Sequence, residues 1–248
     1  MVNHMGILKG EKVRKYFGGL AAVSNVDFEI NQGEIVGLIG PNGAGKTTLL
    51  NLISGALSTS AGEIKYKGQS ITGLKPHQIC KLGIARTFQS VQLFGNMTVF
   101  DNVFLGSICG TATSSTLDAA RKAVALLEFV GLSAKRSDLG KNLPIVEQKR
   151  LEVARALATK PALLLLDEVM AGLNPREVQG SITLIKEIHQ QGITILMIEH
   201  MMRAIMSISD RIIVLHHGEK IADGTPREII RDRKVIETYL GTDVYVDA

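Results

Sequence analysis

Gly40-Pro41-Asn42-Gly43-Ala44-Gly45-Lys46-Thr47 satisfies every fixed position of the spacing G-x-x-x-x-G-K-[ST]. Glycines let a backbone wrap phosphate oxygens that a Cβ would push away, and a helix beginning at the lysine turns unpaired N–H groups and a partial positive charge on an anion. In such a loop Lys46 reaches the β- and γ-phosphates, the Thr47 hydroxyl ligates Mg²⁺, and Asn42, Gly43, Ala44, Gly45 and Thr48 complete the cradle. The ligand implied is a nucleoside triphosphate. A second constellation is Leu163-Leu164-Leu165-Leu166-Asp167-Glu168. Four aliphatics before two acids describe a strand buried on both faces, with its C-terminal edge opening on a ligand crevice. Asp167 is then placed for the Mg²⁺ shell and Glu168 to polarise an attacking water. Taken alone, an acidic pair ending a strand is more often a helix cap or a solvated edge; downstream of a complete phosphate loop the odds reverse.

These residues need elements to hold them. Ile35–Ile39, bounded by Gly33 and Gly40, reads as a buried parallel strand, and Thr47–Ile53 as a helix stopping at Gly55. Glu63–Gly68 alternates as a half-exposed antiparallel strand does. Val91–Arg155 is mostly helical in pattern, broken by an exposed small-polar loop at Gly110–Ser115. Leu163–Leu166, Thr194–Ile198 and Arg211–Leu215 are three further strand-like runs. Strands alternating with helices predict an α/β fold with a mainly parallel sheet.

Composition narrows the classes. The chain has 248 residues, 45% hydrophobic and 21% charged, enough for one large or two intimate domains with a sizeable core. Its longest apolar runs, Ala162–Leu166 and Ile193–Ile198, fall well short of the roughly 18 residues that span a bilayer. Met1–Lys15 holds no apolar core of a secretory signal, so the chain is expected to stay in the cytosol. A net charge of +4 permits an anionic partner without demanding one. There is no Lys/Arg-rich run, no Trp, and only 4% aromatic residues, so no nucleic-acid partner is expected. Cys80 and Cys109 show neither metal-ligand nor redox spacing and read as plain thiols.

Asp167-Glu168, then Ala171-Gly172-Leu173-Asn174-Pro175, then Ile198-Glu199-His200 resembles the ATP-binding subunit of ABC transporters along essentially the whole chain. The resemblance implies a P-loop NTPase core with a mainly parallel sheet, an antiparallel β subdomain and an inserted α-helical subdomain. It divides the chain at 1–90, 91–155 and 156–248. It implies ATP and Mg²⁺ as ligands. Gln89, within Ala85-Arg86-Thr87-Phe88-Gln89, would touch Mg²⁺ and the attacking water, His200 would contact the γ-phosphate, and Phe17 would stack on adenine, with Tyr16 as second choice. Gln89 and His200 are uninformative by themselves; their order around the phosphate loop carries the weight. Lys46, Gln89, Glu168 and His200 are thus the expected catalytic set, and Thr47, Gln89 and Asp167 the expected metal set.

The segment before the helix Gln148–Leu157 departs from the family pattern L-S-G-G-Q, reading Leu143-Pro144-Ile145-Val146-Glu147. In the family each such segment closes the nucleotide site of the opposite subunit. Pro144 lacks the hydroxyl that would bond a γ-phosphate, and Val146 brings a Cβ where backbone should approach, so the site weakened would be the partner's; the other reading is that the segment is simply another working version of the motif. Asn174 likewise stands where the family usually has aspartate. Phe88, Val91, Leu93, Phe94, Met97, Val99, Phe100, Val103 and Phe104 follow or flank Gln89; about two-thirds are expected in the subdomain core and the rest in a groove for a short helix of a membrane subunit.

Ala85–Gln89, Leu93-Phe94, Met97-Thr98-Val99, Ala171–Pro175 and the ending Tyr239-Leu240-Gly241 look most like the ATP-binding subunit of branched-chain amino acid importers. That likeness implies a second ATP-binding subunit (a heterodimer, with a homodimer possible in isolation), two membrane permease subunits, an external solute receptor acting indirectly, and a place on the cytoplasmic face of the membrane. Related importers carry urea, amides or other amino acids. A soluble relative acting on DNA or ribosomes fits less well, because Lys46 and Leu143 are only 97 residues apart, too close for a coiled-coil insertion, and the chain holds one ATP-binding half.

Overall fold

The structure is a computed structural model describing residues 6–110 and 115–240. Residues 1–5, most of the small-polar stretch (111–114) and Gly241 of the C-terminal ending lie outside the described residues. In chain order the elements are β1 (Gly6–Phe17), β2 (Leu20–Asn31), β3 (Ile35–Ile39), α1 (Lys46–Ile53), β4 (Ala61–Tyr66), β5 (Gln69–Ser70), α2 (Pro76–Leu82), β6 (Ile84–Arg86) and α3 (Val99–Cys109). There follow α4 (Thr116–Phe129), α5 (Ile145–Ala158), β7 (Leu163–Asp167), α6 (Pro175–Gln190), β8 (Thr194–Ile198), α7 (Met202–Ile208), β9 (Arg211–His216), β10 (Glu219–Gly224), α8 (Pro226–Ile229) and α9 (Arg233–Leu240). The chain divides into two units, one from residues up to Lys75 together with those from Thr194, the other Pro76–Ile193.

The first unit holds an antiparallel sheet in the order β2-β1-β4-β5. In its second sheet β3 runs parallel to both β8 and β9, and β10 returns antiparallel to β9. All five residues of β3 and of β8 are buried, which suits uninterrupted aliphatic runs in a parallel sheet. β4 shows the expected alternation, with Ile64 and Tyr66 inward and Lys65 between them. The long strands β1 and β2 escape simple period-2 reading. Their pairing shifts register four times, and Lys12 and Asn25 sit at φ +47° and +52°. Such bulges move side chains to the other face.

The second unit builds on the parallel pair β6–β7, in which Ile84, Ala85 and Arg86 face Leu163, Leu164 and Leu165. Its helices α3, α4 and α5 close on a core of Val99, Val103, Leu127, Leu132, Leu143 and Leu151. Of the nine apolar residues around Gln89, Val99 and Val103 lie in that core, and Leu93, Phe100 and Phe104 pack against it. Phe88 and Phe94 are exposed. Polar residues set the helix starts. Thr98 and Ser115 accept hydrogen bonds from the Asp101 and Asp118 N–H groups, and Asn174 with Glu177 forms a reciprocal cap on α6 with Pro175 at its first position. Asn174 accepts the Arg176 and Glu177 N–H groups at 3.0 Å each.

Leu151 is fully buried where α3, α4 and α5 meet. Leu151→Ala is therefore expected to destabilise the protein by about 2–5 kcal/mol, lost transfer energy plus an unfilled cavity, read as a lowered urea midpoint at unchanged slope.

Candidate functional site

In the first unit the glycine-rich loop joins β3 to α1. Gly40 has φ +152°, and a Cβ there would lie 2.1 Å from the Leu215 carbonyl oxygen of β9. A Cβ on Gly45, at φ +99°, would lie 2.3 Å from the Ala22 carbonyl oxygen of β2. These two glycines are thus fixed by backbone approach to neighbouring strands. Gly43, at φ +78°, has nothing within 4 Å of its would-be Cβ, so its face is open to a ligand. Ala44 is buried, bonded through its N–H to the Pro41 carbonyl and through its carbonyl to the Gly218 N–H. Asn42 and Gly43 are exposed, and Thr47 and Thr48 are half-buried in the first turn of α1.

Gly45 caps α1 with no side-chain hydrogen bond, leaving the helix N-terminus to present its N–H groups to an anion. The Lys46 ammonium is buried and donates to the Gly40 and Pro41 carbonyls at 2.8 and 3.0 Å. This places a cation inside its own loop, as a triphosphate cradle requires. The Tyr239 hydroxyl on α9 is hydrogen-bonded with the Gly40 backbone, and burial pushes it up to about 12. Phe17, at the end of β1, is 48% exposed with the Lys15 ammonium 5.2 Å from its ring centre; Tyr16 is also exposed. His200 is exposed just after β8, next to the buried Glu199.

The second unit carries the acidic residues. Asp167 ends β7 almost fully buried, and its Oδ2 accepts from Arg86 Nη2 at 2.8 Å. Its N–H donates to the Thr87 hydroxyl at 3.2 Å. Glu168 follows at φ +51°, in the left-handed region that a non-glycine residue rarely occupies. Gln89 Nε2 donates to Glu168 Oε2 at 3.0 Å, so two residues singled out from sequence meet.

The segment around Gln89 is pinned to α5. Glu152 accepts the Gln92 N–H at 2.9 Å and the Phe88 N–H at 3.5 Å, while Arg155 donates to the Gln92 carbonyl and lies 5.4 Å from the Phe94 ring centre. Burial holds the Glu152 carboxyl above its usual range, against the opposing pull of those N–H groups and of the Arg155 and Lys149 charges. At the start of α5, Pro144 offers no side-chain cap, Ile145 is exposed, and Glu147 pairs with Lys135 at 2.6 Å.

A family model described as ABC transporter matches residues 23–171. The chain belongs to the ABC transporter family. It is an ATPase of that family, and a second model, described as branched-chain amino acid ATP-binding cassette transporter, matches residues 219–245. This ABC ATPase is 42% identical to the high-affinity branched-chain amino acid transport ATP-binding protein LivG of Escherichia coli, over 91% of this chain and 94% of that protein. It is 39% identical to the corresponding protein BraF of Pseudomonas aeruginosa, over 95% and 98%. Among solved structures, the ADP conformation of an ATP-binding cassette of an ABC transporter superposes with a TM-score of 0.86 at 33% identity, covering 96% of this chain and 99% of that one. A dimeric, post-hydrolysis cassette bound to ADP and Pi gives 0.80 at 27% identity, covering 89% and 99%.

Sequence reasoning did not single out Arg86, Lys149, Glu152 or Tyr239 as site residues. The signal for Arg86 was a charge inside the short buried strand Ile84–Arg86, which demands a partner. Lys149 and Glu152 are charged residues on the buried face of α5.

The Arg86–Asp167 pair is 7% and 1% exposed. Arg86→Met leaves a buried carboxylate without its guanidinium and should cost about 3–5 kcal/mol. Adding Asp167→Asn should restore much of that loss, so a double-mutant cycle by urea unfolding is expected to show strong coupling. Additive losses would mean the two charges do not depend on each other.

Proposed function

We propose that this ABC ATPase hydrolyses ATP to drive an importer, carrying branched-chain or other hydrophobic amino acids, from the cytoplasmic face of a membrane. The observation that carries the reading is the phosphate loop, with the buried Lys46 ammonium turned into its own glycine-rich turn beside a helix start that has no side-chain cap. The likeness to LivG and BraF, and the matched C-terminal segment 219–245, support the solute class. No helix among the described residues is long and apolar enough to cross a membrane. Movement of a solute would therefore fall to separate permease subunits, and the exposed Phe88 and Phe94 offer them an apolar seat.

In this reading the loop N–H groups and Lys46 bind the β- and γ-phosphates, Phe17 supports the base, and His200 bonds the γ-phosphate. The Thr47 hydroxyl and Asp167 carboxylate are hard oxygen donors suited to Mg²⁺, with Gln89 as a further contact; the ion, when bound, offsets phosphate charge. Gln89 aims the Glu168 carboxylate, which holds the attacking water and takes its proton as the bond to the γ-phosphorus forms and that from the γ-phosphorus to the β–γ bridging oxygen breaks, releasing ADP and phosphate. Catalysis is positioning and electrostatics, as phosphoryl transfer allows.

The functional dimer pairs this chain with a second ATP-binding subunit of intact signature sequence, because Pro144, Ile145 and Val146 make a poor closure for the partner's nucleotide. Hydrolysis is then asymmetric. In the assembled complex Glu168→Gln should abolish most turnover, and the equivalent change in the partner should cost less; equal losses would contradict the asymmetry. Tagged at native level and extracted in mild detergent, the chain should bring down two integral-membrane subunits and a second ATPase. Recovery only from the soluble fraction, with ribosomes or DNA attached, would overturn the transport reading.

A further inference from the structure

Lys149 lies in the second turn of α5, and its side chain is buried. A buried ammonium is costly unless its donors are satisfied. Here Nζ donates to two main-chain carbonyls, that of Glu168 at 3.2 Å and that of Ala171 at 2.6 Å. These carbonyls bracket the turn that follows β7. The turn closes on itself as well, since the Ala171 N–H donates to the Glu168 carbonyl at 3.2 Å. Between its ends Val169 and Met170 are buried.

The backbone gripped in this way is the unusual one. Glu168 stands at φ +51°, where an L side chain crowds its own carbonyl, and such a residue persists only when its surroundings over-determine it. A cation drawing the Glu168 and Ala171 carbonyls to one point supplies that constraint. Those two bonds act on the backbone, while the Glu168 carboxylate receives the Gln89 amide on its Oε2 at 3.0 Å. Backbone and side chain of Glu168 are thus oriented by different residues, the first from α5 and the second from the segment after β6.

We propose that Lys149 is the positioning residue of Glu168, fixing the left-handed turn that aims the carboxylate and tying it to α5, the helix that follows Pro144. The inference rests on the reading of Glu168 as the residue that polarises water. A movement of α5 would reach Glu168 through the Lys149 ammonium, with Ala171 carried along.

The test uses the complex purified from membranes with this chain carrying Lys149→Met, Lys149→Arg or Glu168→Gln. Lys149→Met, similar in length but without donors, is expected to lower kcat about 10- to 100-fold, the scale of a misplacement near 1 Å. The KM for ATP and the melting temperature should stay close to those of the unaltered complex. Lys149→Arg, which keeps the charge and can span both carbonyls, should recover most of the rate. Hydrogen exchange at residues 168–171 should speed up in Lys149→Met, and exchange within α5 should not change. An unchanged kcat in Lys149→Met while Glu168→Gln is inactive would overturn the positioning role. So would a raised KM and lowered melting temperature with kcat intact, the signature of a purely structural lysine. Full turnover in Glu168→Gln would instead sink the underlying reading of Glu168. Should Lys149→Met fail to accumulate, Lys149→Gln, a shorter neutral donor, is expected to give an intermediate kcat at unchanged KM, and an unchanged kcat there overturns the inference equally.

Discussion

Two carboxylates at the buried end of an apolar strand are the constraint around which the second unit is arranged. Leu163–Leu166 supplies burial, and burial makes any charge placed at its end expensive. Asp167 is made tolerable by the Arg86 guanidinium, with the Thr87 hydroxyl holding its backbone. Glu168 escapes the sheet by turning left-handed, and Lys149 and Gln89 secure its backbone and carboxylate. The parallel register of β6 on β7 sets Arg86 opposite Leu165, bringing the strand that carries the arginine to the one that ends in the acids. Glu152 and Arg155 then fasten the chain beyond Gln89 to α5, so one helix supports both the acidic turn and the segment bearing Phe88 and Phe94.

The first unit solves the opposite electrostatic problem, which is to assemble positive potential from backbone. Its loop is tight because Gly40 and Gly45 permit contacts with β9 and β2 that any Cβ would forbid. The glycine pattern therefore has two origins. Gly40 and Gly45 are demanded by packing, whereas Gly43, with empty space at its would-be Cβ, is demanded by its φ of +78°. Lys46 brings charge into the loop, and Tyr239 attaches the C-terminal helix to its first glycine.

What could be read from the chain was whatever depends on near neighbours. The phosphate loop, the aliphatic run ending in Asp167 and Glu168, and the buried strands β3, β8 and β9 all declare themselves over a handful of residues. What could not be read depends on partners far apart in sequence. Arg86 and Asp167 are separated by 81 positions, Glu152 and Gln92 by 60, and Lys149 and Glu168 by 19. Nothing local distinguishes a lysine that grips two carbonyls from one that snorkels to solvent. The strands β1 and β2 were obscured for another reason, because repeated register shifts destroy the alternation by which a strand is recognised. Asn174 shows the two levels together. Its departure from aspartate is visible in sequence, while its capping of α6, a role aspartate fills equally well, emerges only from the geometry.

The central claim is that hydrolysis of ATP bound by the Lys46 loop drives movement of an amino acid across a membrane. Its most direct test is uptake of radiolabelled leucine, isoleucine and valine by cells in which the chromosomal copy carries Lys46→Ala, with the chain's membrane level measured alongside. Uptake falling to background while the chain stays at the membrane is the predicted result. Undiminished uptake of all three, with the altered chain present at normal level, would contradict the account.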